Sequence, residues 1–222
     1  MALEHIEKIK CKDCSCEFDV TVYESVNGAF DDEAQKKLLS GELFTHTCPE
    51  CGCVVALSYP MLYHDMDKKF MIHLCPDGEN VDECIKNIKD AQKKIDKQFP
   101  EKRMEKPYKM RIVSNENSMR EKITIFENGL DDRIIELLKL FFASRLQATN
   151  KDAAISDILF FVGHRSEYAF QIMLANGENL VSEVPKHFYT LFTEQYMTKC
   201  ELASRDNFII DADFAILVLN GK

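Results

Sequence analysis

Two Cys-x-x-Cys pairs, Cys11-Lys-Asp-Cys14 and Cys48-Pro-Glu-Cys51, constrain this chain more than any other feature of its sequence. Two thiolates separated by two residues can grip one tetrahedral ion at metal–sulfur distances of about 2.3 Å, because the tight turn between them points both sulfurs the same way. A second such turn completes a four-sulfur shell. The spacer from Ser15 to Thr47 exceeds the roughly 15 to 20 residues common between zinc pairs. An inserted strand and short helix account for it, and the entropy of closing a loop grows only slowly with length. Metal is favoured over a thioredoxin-like redox pair because two pairs occur together and no β-α-β context surrounds either one.

Each pair extends by one further thiol, to Cys16 and to Cys53. Six thiols can hold one zinc with two small buried neighbours, two ions sharing sulfurs, an iron–sulfur cluster, or four ligands with two exchangeable reserves. The sequence leaves these open. Gly52 after the second pair suits a backbone that turns its N–H groups toward the sulfurs, and Pro49 pre-sets that turn. The first pair has Ser15 in the corresponding place. Cys75, Cys84 and Cys200 stand apart and read as core thiols.

A hydrophobic fraction of 45% and a charged fraction of 29% exclude wholesale disorder and low-complexity scaffolds. The nine cysteines are an odd number, and Met1 to Lys10 has no secretory leader pattern, so reduced thiols in the cytoplasm are expected. No apolar run approaches the roughly 18 residues of a membrane span, so no membrane partner is expected.

The apolar periodicity predicts an α+β chain in three parts. Residues 1–78 carry strands at 18–26, 54–59 and 70–74 with a helix at 31–40. Residues 79–107 form an amphipathic basic helix, 81–99, and a charged linker between Pro100 and Pro107. Residues 108–222 form an α+β domain: a strand at 108–113, helices at 117–126 and 131–146, an antiparallel meander of 155–163, 168–175 and 179–184, a helix at 187–198, and a last strand at 214–219. The helix at 131–146 is apolar nearly all round, as a central core helix or an oligomer interface would be.

Beyond its cysteines, the chain contains Leu38-Leu39-Ser-Gly-Glu-Leu-Phe44 leading into Thr47-Cys48-Pro-Glu-Cys51-Gly52, then Tyr59-Pro-Met-Leu-Tyr-His-Asp65, Arg111-Ile-Val and the segment Glu121 to Arg133. In these motifs it resembles the bacterial CpXC-domain family, named for the Cys-Pro-x-Cys motif, over about its first 130 residues. The resemblance implies a zinc-ribbon-like β module with an inserted helix, ligated by Cys11, Cys14, Cys48 and Cys51. It implies no activity.

Other candidates each have a plainer explanation. His64 and Asp65 can form an acid/base pair, but adjacent residues in a polar link are commonly solvated. His46 can replace a thiol, although four thiols are already present. Glu127, Asp131, Asp132 and Arg133 surround a helix start, where carboxylates cap orphan N–H groups. The basic stretch Lys86 to Arg111 can hold a phosphate backbone, but the net charge is −9 and no aromatics interleave it. His164, Arg165 and Glu167 sit on a predicted turn facing solvent. There is no Walker lysine, G-x-G-x-x-G, G-x-S-x-G or H-E-x-x-H motif, and no catalytic residue is assigned.

The expected function is therefore that of a zinc-binding structural or adaptor protein, with a protein partner or a homo-oligomer formed through 134–142. A nucleic-acid or transcription-associated accessory role is the alternative, and an enzyme with its site in the C-terminal half is the third reading.

Overall fold

Strict alternation of buried and half-exposed residues in Met61–Asp65 and Phe70–Leu74 makes these two segments the centre of a five-stranded sheet. The computed structural model of the chain describes residues 2–76, 80–98, 108–150 and 153–221. The element order is β1 (Leu3–Lys10), β2 (Glu17–Asn27), α1 (Asp32–Ser40), β3 (Thr45–Thr47), β4 (Val54–Ala56), β5 (Met61–Asp65), β6 (Phe70–Leu74), α2 (Val81–Gln98), β7 (Lys109–Val113), α3 (Glu116–Glu127), α4 (Asp132–Thr149), β8 (Ile155–Val162), β9 (Tyr168–Leu174), β10 (Asn179–Val184), α5 (Lys186–Ala203) and α6 (Ala212–Asn220). The chain is thus a mixed α+β protein. Among the described residues no helix is long and apolar enough to cross a membrane.

Two compact units divide the chain, Met1–Arg120 and Glu121–Lys222. In the first, the sheet order is β1-β2-β5-β6-β7. The pairs β1–β2 and β5–β6 are antiparallel, whereas β2–β5 and β6–β7 are parallel. The parallel pairs need long crossovers, which α1 with the β3–β4 hairpin and α2 supply. Val20, Val22, Val26, Leu38, Tyr63, Phe70 and Ile72 form its core. Helix α1 is held to the sheet by Gln35, whose Nε2 donates to Tyr63 Oη at 2.8 Å.

Two sequence expectations are corrected here. The stretch holding His64 and Asp65, read as a polar link, is β5 and the turn into β6. Residues 109–113, assigned by sequence to a second domain starting at 108, pair through Lys109–Val113 with Phe70–Leu74 and complete the first sheet. Met110, Ile112 and Val113 are buried in this fifth strand beside β6, and Arg111 between them is buried too, its Nη1 donating to the Met110 carbonyl at 2.8 Å. The expected linker between Pro100 and Pro107 lies outside the described residues.

In the second unit, β10-β9-β8 is the expected antiparallel meander. Helix α4 lies at the centre of the core: Ile134, Ile135, Leu137 and Leu138 are all buried, and α4 packs against α5, α6 and β8. Phe141 and Phe142 join it to Phe170, Phe188 and Phe192 with ring centroids 5.4–6.0 Å apart. Residues 214–219, expected as a strand, form helix α6. Asp211 caps it by accepting from the Phe214 N–H at 3.0 Å.

Candidate metal centre

Each Cys-x-x-Cys pair forms the bend between two antiparallel strands, and the two bends are built alike. The first joins β1 to β2: the Cys11 N–H donates to the Cys16 carbonyl at 2.8 Å, and the Ser15 N–H to the Cys11 carbonyl at 3.0 Å. The second joins β3 to β4: Cys48 N–H to Cys53 carbonyl is 2.8 Å, and Gly52 N–H to Cys48 carbonyl is 3.0 Å. Closing the turn this way requires a left-handed residue after the second cysteine. Gly52 supplies it at φ 71° without cost, and Ser15 adopts φ 63° against its intrinsic preference.

The bends bring four sulfurs together. Cys11, Cys14, Cys48 and Cys51 have Sγ atoms all within 4.8 Å of one another. Cys11 Sγ lies 3.7 Å from Cys51 Sγ, and Cys14 Sγ lies 3.6 Å from Cys48 Sγ. A tetrahedron with metal–sulfur bonds of about 2.3 Å has edges of about 3.8 Å, so these spacings fit a single ion. They are far beyond the S–S bond length of about 2.05 Å of a disulfide. The first cysteine of each pair is buried, at 1% exposure, while the second faces outward.

The electrostatics of the four thiols follow the same symmetry. N–H groups of Cys14 and Asp13 aimed at the Cys11 sulfur lower its thiol to about 7. The Cys51 N–H also pulls the Cys48 thiol down, reinforced by the Glu50 N–H, and outweighs burial. At Cys14 and Cys51 the N–H groups of Cys16 and Cys53 pull downward but are outweighed by burial and the neighbouring sulfurs, which push Cys51 to about 12. Sulfurs packed this closely resist shared deprotonation unless a cation sits among them. The backbone thus prepares two thiolates for a soft metal ion, and the ion's charge would support the other two.

Cys16 and Cys53 are half-buried and lie outside the four-sulfur group. Burial, followed by the charges of Cys48 and Glu50, pushes the Cys16 thiol up. Asp13 and burial push that of Cys53 to about 11. Each donates to the carbonyl of the residue after it, Cys16 to Glu17 at 3.5 Å and Cys53 to Val54 at 3.6 Å. His46, on β3, is also outside the group; its Nε2 finds no hydrogen-bond partner, and burial lowers its basicity. Cys75 and Cys84, separate in sequence, are neighbours whose thiols interact, and burial raises both.

Several of the other sequence candidates have structural partners, and the basic stretch Lys86 to Arg111 lies partly outside the described residues. His64 and Asp65 point to opposite faces of β5. His64 reaches Tyr108 Oη at 3.4 Å, and Asp65, buried, accepts from the Lys68 N–H at 2.8 Å to close the β5–β6 turn. Asp131 caps α4 and pairs with Arg133 at 2.7 Å. Lys86, Lys93 and Lys94 are exposed on α2, while Glu167 accepts from the Arg165 N–H within its own turn.

Sequence reasoning missed a buried ionic network. Lys122 Nζ donates to Glu136 Oε1 at 2.8 Å and to the Ile210 carbonyl at 2.6 Å, and lies 3.3 Å from Asp132, which is 0% exposed. Lys139 bonds Glu121 at 2.6 Å and Glu136 at 3.3 Å. The available signal was Glu136 and Lys139, two charges three residues apart interrupting an apolar helix.

A family model described as CpXC protein matches residues 9–139. No curated protein and no solved structure matches. The family match covers more than half of the chain and includes all four clustered cysteines, so this chain belongs to the CpXC family.

Proposed function

We propose that this chain is a zinc-binding structural protein that acts as an adaptor in a macromolecular assembly. The observation that supports it best is the four-sulfur group built by two equivalent bends. An all-thiolate tetrahedral donor set suits zinc, which brings no redox chemistry and no geometric preference of its own. Cys11, Cys14, Cys48 and Cys51 would hold the ion as a zinc-ribbon-like pair of knuckles, with Cys16 and Cys53 packed beside it. Four protein ligands leave no position for water, so the ion's work in this reading is to join β1–β2 to β3–β4. Binding of a structural zinc is worth on the order of 10 to 16 kcal/mol in peptides, comparable to the stability of a whole domain. The free thiols agree with a reducing cytoplasmic setting. The interaction half of the reading is supported by apolar side chains left exposed on the second unit, Leu191, Leu202, Ile216, Leu217 and Leu219.

Hydrogen exchange before and after chelation tests the structural role. Stripping the ion should remove protection from β1–β4 while α4 keeps its own. Unchanged protection across 3–56 would refute it.

A further inference from the structure

Strand β1 is an edge of the five-stranded sheet: among the described residues its only strand neighbour is β2. Seven of its eight residues are exposed, including Leu3 at 56% and Ile6 at 65%. A long exposed edge with apolar residues is a template for further pairing unless something blocks it. The irregularity in the β1–β2 register inserts Glu24 on β2 and leaves the alternation of β1 intact. Its outer row of backbone donors and acceptors is therefore continuous.

The sequence of that edge, Leu3-Glu-His-Ile-Glu-Lys-Ile-Lys10, is complementary to itself in one antiparallel register. Two copies related by a two-fold axis perpendicular to the sheet must place one residue opposite its own copy, because any other phase sets opposed side chains on different faces. With Ile6 opposite Ile6, Leu3 faces Ile9, Glu4 faces Lys8 and His5 faces Glu7. Every acid then meets a base, and every apolar residue meets an apolar one. Sliding by two residues one way sets His5 against itself and Glu4 against Ile6; sliding the other way sets Glu7 against itself and Ile6 against Lys8. Like charges directly opposed destabilise a pair of strands, so both alternatives are disfavoured.

We propose that this chain forms a symmetric homodimer by antiparallel pairing of β1 with β1 of a second copy, centred on Ile6, giving one continuous ten-stranded sheet. Existing contacts leave the surface free for this. His5 Nδ1 pairs with Glu24 at 3.1 Å, and its Nε2 remains available to Glu7 of the other copy. Glu4 lies beside Tyr23 of β2 and stays exposed. The contact is isologous, so each substitution acts twice.

The test is sedimentation equilibrium of the full chain, purified without an N-terminal tag, at protein concentrations up to about 100 μM. The wild type should reach twice 25.6 kDa. Glu4→Lys alone and Lys8→Glu alone should each weaken the dimer about tenfold or more, and the double exchange should restore it to within about threefold. Both sites are exposed, so circular dichroism of the variants should be unchanged. A monomer throughout the range overturns the proposal. So does an oligomer indifferent to either single exchange, or one that the double exchange fails to restore. Measuring zinc in the same samples separates this proposal from the metal reading: a zinc-loaded monomer refutes only the interface.

Discussion

Ser15 and Gly52 occupy the same position in the two cysteine bends: each is left-handed, and each donates its N–H at 3.0 Å to the carbonyl of the first cysteine of its pair. Only one of them is the residue that this conformation favours. A side chain in the left-handed region costs roughly 1–2 kcal/mol. Ser15→Gly should therefore raise the stability of the metal-loaded protein by up to about 1 kcal/mol, part of the gain being lost to the freer unfolded chain. Gly52→Ala should lower it by about 1 kcal/mol, since a Cβ there meets nothing within 4 Å and the cost is backbone alone. Denaturant unfolding of the two variants checks both signs, and a destabilised Ser15→Gly would count against the equivalence.

The buried network around Lys122 should be the most sensitive place in the second unit. Replacing this lysine with methionine leaves Asp132 and Glu136 facing each other without their shared cation, and breaking a buried pair in this way costs about 3–5 kcal/mol. Lys86→Met, on the exposed side of α2, should stay within about 0.5 kcal/mol of wild type. Denaturant titration read by exchange protection of α4 distinguishes the two. A Lys122→Met loss as small as that at Lys86 would show that the network contributes little.

The same network sets a pH dependence. Burial alone would lower Lys122 and Lys139, but Glu136 and Asp132 facing the first, and Glu136 and Glu121 facing the second, lift both above the ordinary lysine value. The folded chain then holds these protons to higher pH than the unfolded chain does. Their stabilisation is complete below about pH 10.4 and is lost as pH rises through the folded values. The difference in unfolding free energy between wild type and Lys139→Met should shrink above pH 10.4. A difference that widened with alkalinity would reverse the sign argued here.

How far the sequence could be read depended on whether burial imposed a pattern. The cysteine bends were legible because metal-binding spacing is local, β6 because it is plainly apolar, and β10, of whose residues only Val184 is buried, through the Asn176-Gly177 turn that leads into it. Strand β1 was not legible: its apolar residues Leu3, Ile6 and Ile9 recur every three positions, and an edge exposed on both faces imposes no two-residue period. In β5, the polar His64 and Asp65 hid a strand whose alternation is complete, because Asp65 is buried as a turn-closing acceptor. The run Phe-Ala-Ile-Leu-Val-Leu at 214–219 fits a buried strand or a short helix equally well by apolarity. The cap at Asp211 and the left-handed Gly221 decide for α6. The proximity of Cys75, just after β6, to Cys84 on α2 has no local signature.

The division of the six N-terminal thiols gives a further outcome. Cys16→Ser and Cys53→Ser should each retain the metal, because their sulfurs lie outside the group. Cys14→Ser and Cys51→Ser should lose it or bind it far more weakly, since each removes one corner of the tetrahedron. Metal analysis after dialysis against a mild chelator would reveal the ranking, and loss of metal from Cys16→Ser comparable to that from Cys14→Ser would contradict it.

The most direct measurement is native mass spectrometry of the purified chain, which reads bound metal as a mass increment on the intact fold. The account predicts one zinc per chain, released together with the loss of folded charge states in the first unit. Two zincs, an iron–sulfur increment, or a folded chain carrying no metal would contradict it.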